Sequence, residues 1–200
     1  MHIKVCGLIE QKNINAISEC GVDMIGLNFY PSSLRYVTLD NAVISEYIEK
    51  VGVFVNATYE DILSKTNHFG LNYIQLHGDE NTDFCREIQA FVPVIKVFRI
   101  HQSFDWELLD EFQFCDMFLF DTYTKDFGGS GHKFDWSELS NRDITRPWIL
   151  SGGIGPEDIE KILSMESTSF YGVDINSRFE TAPGIKDVQK VKEFCNKLKI

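Results

Sequence analysis

The chain has 200 residues, 44% of them hydrophobic and 24% charged, which suits one soluble domain with a substantial core. A net charge of −11 argues against nucleic acid or an anionic membrane surface as main partner. It leaves room for an anionic small molecule at a locally basic site. Five cysteines (Cys6, Cys20, Cys85, Cys115 and Cys195) are odd in number and never in CxxC spacing. That usage argues against a zinc cluster, another metal site or a disulfide framework, and suits a reducing cytoplasm.

Met1 to Gly7 enters a strand-like run with no signal-peptide core, and no apolar stretch reaches membrane-spanning length. Short apolar runs predict strands over 3–6, 23–29, 51–55, 72–77, 93–98, 116–121, 147–151 and 170–175. Amphipathic stretches predict helices over 10–20, 38–49, 58–69, 80–91, 103–113, 135–140, 155–165 and 185–198. This alternation predicts a single α/β domain over 1–200, a lean (β/α)₈ barrel of the TIM type. A doubly wound open sheet is the structural alternative.

The two-residue period of a strand assigns side chains to faces. On the first strand it turns Lys4 and Cys6 inward and Ile3 and Val5 outward. On the third it turns Gly52 and Phe54 inward and the valines at 51, 53 and 55 toward the helices. Met117, Leu119 and Asp121 share the inward face of the sixth strand. On the eighth, Gly172 and Asp174 face in, while Tyr171, Val173 and Ile175 face out.

The sixth strand ends a run of large apolar residues on one carboxylate, Asp121, before the loop Gly128-Gly129-Ser130-Gly131. In a barrel that acid sits at the C-terminal mouth, where an apolar setting can raise a carboxyl pKa and make it a proton donor. A plain loop cap is the alternative, and the functional reading is preferred. Cys6 is the last inward residue of its strand. Pattern alone favours a space-filling thiol there, although a thiolate could act as a base. Ser151-Gly152-Gly153-Ile154-Gly155-Pro156 and Asp174-Ile175-Asn176-Ser177-Arg178 follow the seventh and eighth strands, where barrels hold phosphate. Arg35, after the second strand, could clamp a carboxylate. Gln75 and His77 share an inward face, so His77 could touch substrate or be a hydrogen-bonded structural histidine. Lys4 and Lys96 are expected low in the barrel, partnering buried acids, and Asp126 is expected to be solvated.

These segments, taken together, resemble the phosphoribosylanthranilate isomerase family. The blocks are Lys4-Val5-Cys6-Gly7, Val51 to Asn56, Gln75 to Glu80, Phe120-Asp121 with Gly128 to Gly131, Leu150 to Ile154, and Gly172 to Glu180 leading to Ala182 to Asp187. They fall in family order across essentially the whole chain. Departures are Leu34 where the family has proline, Ser130 where it has threonine, and Arg178 where glycine is frequent. The resemblance implies a cofactor-free Amadori rearrangement of N-(5-phosphoribosyl)anthranilate in tryptophan biosynthesis. It implies Asp121 as acid and Cys6 as base, Arg35 on the anthranilate carboxylate, and Asp174 on the anthranilate amine. It places phosphate on Gly152, Gly153, Asn176 and Ser177. The implied partner is this phosphosugar-anthranilate alone, with no metal, nucleic acid or membrane; the sequence specifies no oligomer. Two rivals remain at this point: another phosphosugar barrel enzyme with a different acid–base set, and a barrel that binds a phosphorylated metabolite without turnover.

Overall fold

The computed structural model describes residues 1–123, 134–140 and 142–199. Eight parallel strands close into a barrel in sequence order: β1 (His2–Cys6), β2 (Met24–Asn28), β3 (Glu49–Phe54), β4 (Tyr73–Leu76), β5 (Val94–Ile100), β6 (Met117–Thr122), β7 (Trp148–Leu150) and β8 (Phe170–Ile175). The seam joins β1 to β8, with Lys4 opposite Asp174 and Val5 opposite Ile175. Closure excludes the open sheet. A small antiparallel hairpin, β9 (Glu180–Ala182) and β10 (Ile185–Lys186), follows β8.

Seven α-helices surround the sheet among the described residues: α1 (Gln11–Ser18), α2 (Tyr59–Phe69), α3 (Thr82–Gln89), α4 (Leu108–Glu111), α5 (Ser137–Ser140), α6 (Ile159–Leu163) and α7 (Val188–Leu198). Local chemistry sets several of their ends. The side chains of Thr58, Asn81 and Asp187 accept from the backbone N–H of Asp61, Phe84 and Lys190, capping α2, α3 and α7. Gly70 ends α2 in the left-handed conformation.

The core has two layers. Ile3, Val5, Phe118, Phe120 and the helices' apolar faces fill the outer one. Met24, Val51, Ile95, Val97, Met117, Leu119 and Ile149 plug the barrel interior and floor the mouth.

Four expectations need correction. No helix occupies 38–49; Thr38 to Ile48 run as an irregular strap, and Glu49 already belongs to β3. A helix would put Val37, Ile44 and Ile48 on one face and Leu39 and Ala42 on the opposite one. The strap instead buries or packs all five against the core. Gln11 clamps it by donating to Val43 O at 2.7 Å and accepting from Val43 N at 2.9 Å. The phase of β3 is reversed: Val51 joins the interior plug, while Phe54 faces out and stacks on Phe29. Both faces of that strand are apolar, so its own residues do not choose between them.

Tyr171 packs beneath the interior plug and stacks on His2 at 3.9 Å, because the β7–β8 register steps from Phe170 directly to Gly172. Lys96 does pair with a buried acid, Glu80, at 2.9 Å, but on the outer face of β5 rather than in the barrel. Its neighbours there are Gly78 O and the Phe112 ring.

Candidate active site

One pocket opens at the C-terminal ends of the strands. Cys6, Arg35, His77, Asp121, Gly152, Gly153, Asp174, Asn176 and Ser177 all line it. Gly128 to Gly131 and Asp126 lie outside the described residues. The positions singled out from the sequence therefore converge from β1, β4, β6, and the ends of β2, β7 and β8.

Cys6 ends β1 as its topmost inward side chain. Gly7 turns the chain at φ +76°, and a methyl group there would come within 2.7 Å of Arg35 Cδ. The arginine stem thus lies against the turn that follows the thiol. Below Cys6, Lys4 Nζ donates to Asp174 Oδ1 at 3.0 Å across the seam. Burial pushes the Cys6 thiol above its ordinary pKa; Asp174 adds to this, and Lys4 and Lys186 oppose it. Burial also raises the Asp174 carboxyl, against the pull of Lys4. Burial alone would lower Lys4, but Asp174 and Cys6 together hold it above its ordinary value.

On the opposite wall, Asp121 Oδ1 accepts from the Thr122 N–H at 2.7 Å, and Oδ2 lies 3.2 Å from His77 Nε2. Gln75 Nε2 sits 2.9 Å from His77 Nδ1. In the tautomer with hydrogen on Nε2, His77 donates to the Asp121 carboxylate and accepts from Gln75 at Nδ1. His77 thus links Gln75 to Asp121 on the pocket wall.

The two glycines after β7 adopt φ +86° at Gly152 and +68° at Gly153. Pro156 opens the 3₁₀ turn Pro156–Asp158, and Asp158 accepts from the Gly155 N–H at 2.7 Å. Ser177 begins a second 3₁₀ turn, Ser177–Phe179, on the facing loop. Arg178 pairs instead with Glu157 at the surface.

Two site residues were given no role by sequence reasoning. Glu180 accepts from Arg35 Nε at 2.8 Å and Nη2 at 2.7 Å. Lys186, fully buried, donates to Glu180 Oε1 and to Asn176 Oδ1, each at 2.6 Å. Burial lowers Lys186, with Glu180 opposing. Burial would raise Glu180, yet Arg35 and Lys186 hold it below the usual carboxylate range. The available signal was two charged residues flanking the turn Ala182-Pro183-Gly184 beside apolar Ile185 and Val188. Among the described residues, no group of three or more His, Cys, Asp or Glu could hold a metal ion. No helix among them is long and apolar enough to cross a membrane.

A family model described as N-(5′-phosphoribosyl)anthranilate (PRA) isomerase matches residues 3–197. The chain belongs to the N-(5′-phosphoribosyl)anthranilate isomerase family. The family's enzyme from Phocaeicola vulgatus is 43% identical over 100% of this chain and 98% of its own. The Thermotoga neapolitana enzyme is 37% identical over the same shares. The crystal structure of the Thermotoga maritima isomerase superposes with a TM-score of 0.87 at 34% identity, covering 100% of this chain and 98% of that one. An isomerase of this family solved with reduced 1-(o-carboxyphenylamino)-1-deoxyribulose 5-phosphate superposes at TM-score 0.84, with 31% identity and the same coverage. The protein is an aldose–ketose isomerase of tryptophan biosynthesis.

Proposed function

We propose that Cys6 is the base and Asp121 the acid that isomerise N-(5′-phosphoribosyl)anthranilate in this pocket. The observation that carries this is their convergence: a thiol ending β1 and a carboxyl one residue before the end of β6 face one pocket across the mouth. Asp121 gives a proton to the ribose ring oxygen, and the C1′–oxygen bond breaks to leave a protonated Schiff base. Cys6, as thiolate, then takes the C2′ proton, and the electron pair moves to form an enolamine. Tautomerisation gives the ketone, so the reaction loses and gains no atoms. An acid and a base in differently tuned surroundings can serve both steps near neutral pH.

Arg35 would hold the anthranilate carboxylate, and Asp174 would contact the amine. His77 would orient Asp121 and touch the sugar. Backbone N–H groups of Gly152 and Gly153, with Asn176 and Ser177, would receive the phosphate. The working compartment proposed is the cytoplasm, which suits five unpaired thiols.

The test is a fluorescence assay on freshly generated phosphoribosylanthranilate, corrected for spontaneous hydrolysis, with the product identified by mass. Rapid turnover by the wild type is expected. Cys6→Ala and Asp121→Asn should each retain the fold and lose at least about a hundredfold in kcat. Near-native turnover by Cys6→Ala would remove it as the base. Saturable binding of the compound without product would mean a barrel that binds but does not turn over.

A further inference from the structure

We infer that Glu180 is a positioning residue that aims Arg35 at the substrate's carboxylate, an assignment that rests on the function proposed above. A guanidinium can meet a carboxylate along its side, through Nε and Nη2, or at its end, through Nη1 and Nη2. Glu180 takes the side edge with both oxygens. Among the described residues no acceptor meets the end edge, and Arg35 lines the pocket with its side chain 15% exposed. The end edge is the one left for a second carboxylate.

Glu180 is itself held rigidly. Its side chain is 6% exposed, and Oε1 also accepts from Lys186 Nζ and from the Gly184 N–H at 3.1 Å. Lys186 is fixed in turn by Asn13 of α1, which donates to Lys186 O at 2.9 Å and accepts from Lys186 N at 2.7 Å. This chain of contacts runs from helix α1 through the β9–β10 hairpin to a loop on the far side of Cys6. Two cations share one anion, so the cluster keeps one unit of positive charge, which suits a single incoming carboxylate. An arginine ordered before binding spares the complex the cost of ordering it.

The experiment is steady-state kinetics on phosphoribosylanthranilate, starting with the wild type. Glu180→Gln keeps the shape but loses the charge, and KM should rise about tenfold while kcat stays within about threefold. In an Arg35→Ala background, Glu180→Gln should raise KM no further, because it acts through Arg35. Inhibition by inorganic phosphate should be unchanged in Glu180→Gln, since the loops after β7 and β8 are left in place. If the single variant fails to fold, Glu180→Asp keeps the charge and leaves Lys186 in place but is one methylene too short to take both Nε and Nη2, and it should raise KM in the same way.

A lower KM would make Glu180 a competitor of the substrate and overturn the assignment. Additive effects with Arg35→Ala, or a parallel loss of phosphate inhibition, would overturn it too. Absence of wild-type turnover would instead remove the functional reading beneath it. Robust wild-type turnover with KM unmoved by Glu180→Gln removes only the positioning role.

Discussion

Gly152 is the residue at which the site tolerates least. A methyl group there would lie 2.4 Å from Thr122 Oγ1 and 2.9 Å from Asp121 Oδ1, on a backbone at φ +86°. Gly152→Ala should cost about 1–3 kcal/mol of stability through backbone strain. It should also push Asp121 off its place and lower kcat/KM. Melting temperature and kinetics check both, and wild-type kinetics would mean this contact does not set Asp121. Cys6 offers a second test. Because burial raises its thiol, the folded protein should react with iodoacetamide slowly at pH 7. The rate should keep climbing past about pH 8.5, where an ordinary free thiol is half ionised. Peptide mapping separates Cys6 from the other four thiols, and a rate already level at pH 7 would contradict the assignment. At this scale an acid closing an apolar run was a local signal for Asp121, whereas the pattern around Cys6 marked its position at the mouth but favoured a space-filling thiol, its role as base coming only from the resemblance. Glu180 and Lys186 were not legible, because their meaning depends on Arg35, which lies 145 residues from Glu180.

Among elements, the strand periods were legible where a carboxylate closed the inward face; Lys96 of β5 misled instead, because its partner Glu80 lies outside the strand. Asp121 and Asp174 fixed the phase of β6 and β8 at the mouth. β3 carried no such mark and was read in reverse. The strap over Thr38–Ile48 shows a related limit. Its apolar residues suit a helix in number but not in angular spacing, and Gln11, distant in sequence, supplies the partner its backbone needs. Lys96 gives a prediction for β5. With its side chain 5% exposed against Glu80, Lys96→Met should leave a buried carboxylate unpaired and cost about 3–5 kcal/mol. Since the pair lies on the outer face, kcat/KM of the folded fraction should stay close to wild type. Urea denaturation tests the first statement, and equal stability would show that Glu80 is satisfied by the Asn56 and Gly78 N–H groups alone.

Across the whole molecule, chemistry and stability occupy opposite ends of the barrel, as expected for this architecture. The His2–Tyr171 stack belongs to the closed end. Tyr171→Ala should lower stability by about 1–3 kcal/mol through lost stacking and burial. It should leave kcat/KM within about twofold, because the interior plug separates it from the mouth. A large loss of turnover at full stability would argue against that separation. The β1–β8 seam also has a consequence in time. Lys4 waits 170 residues for Asp174, and Asn13 waits 173 for Lys186. During synthesis the first strand therefore emerges with a lysine whose partner has not yet been made, while most of the barrel is translated behind it. Neither the environment of Cys6 nor the setting of Arg35 can exist in a nascent chain that stops short of the hairpin. A ribosome-bound chain can collapse and pair its middle strands early, but it becomes an isomerase only once the β9–β10 hairpin has left the ribosome.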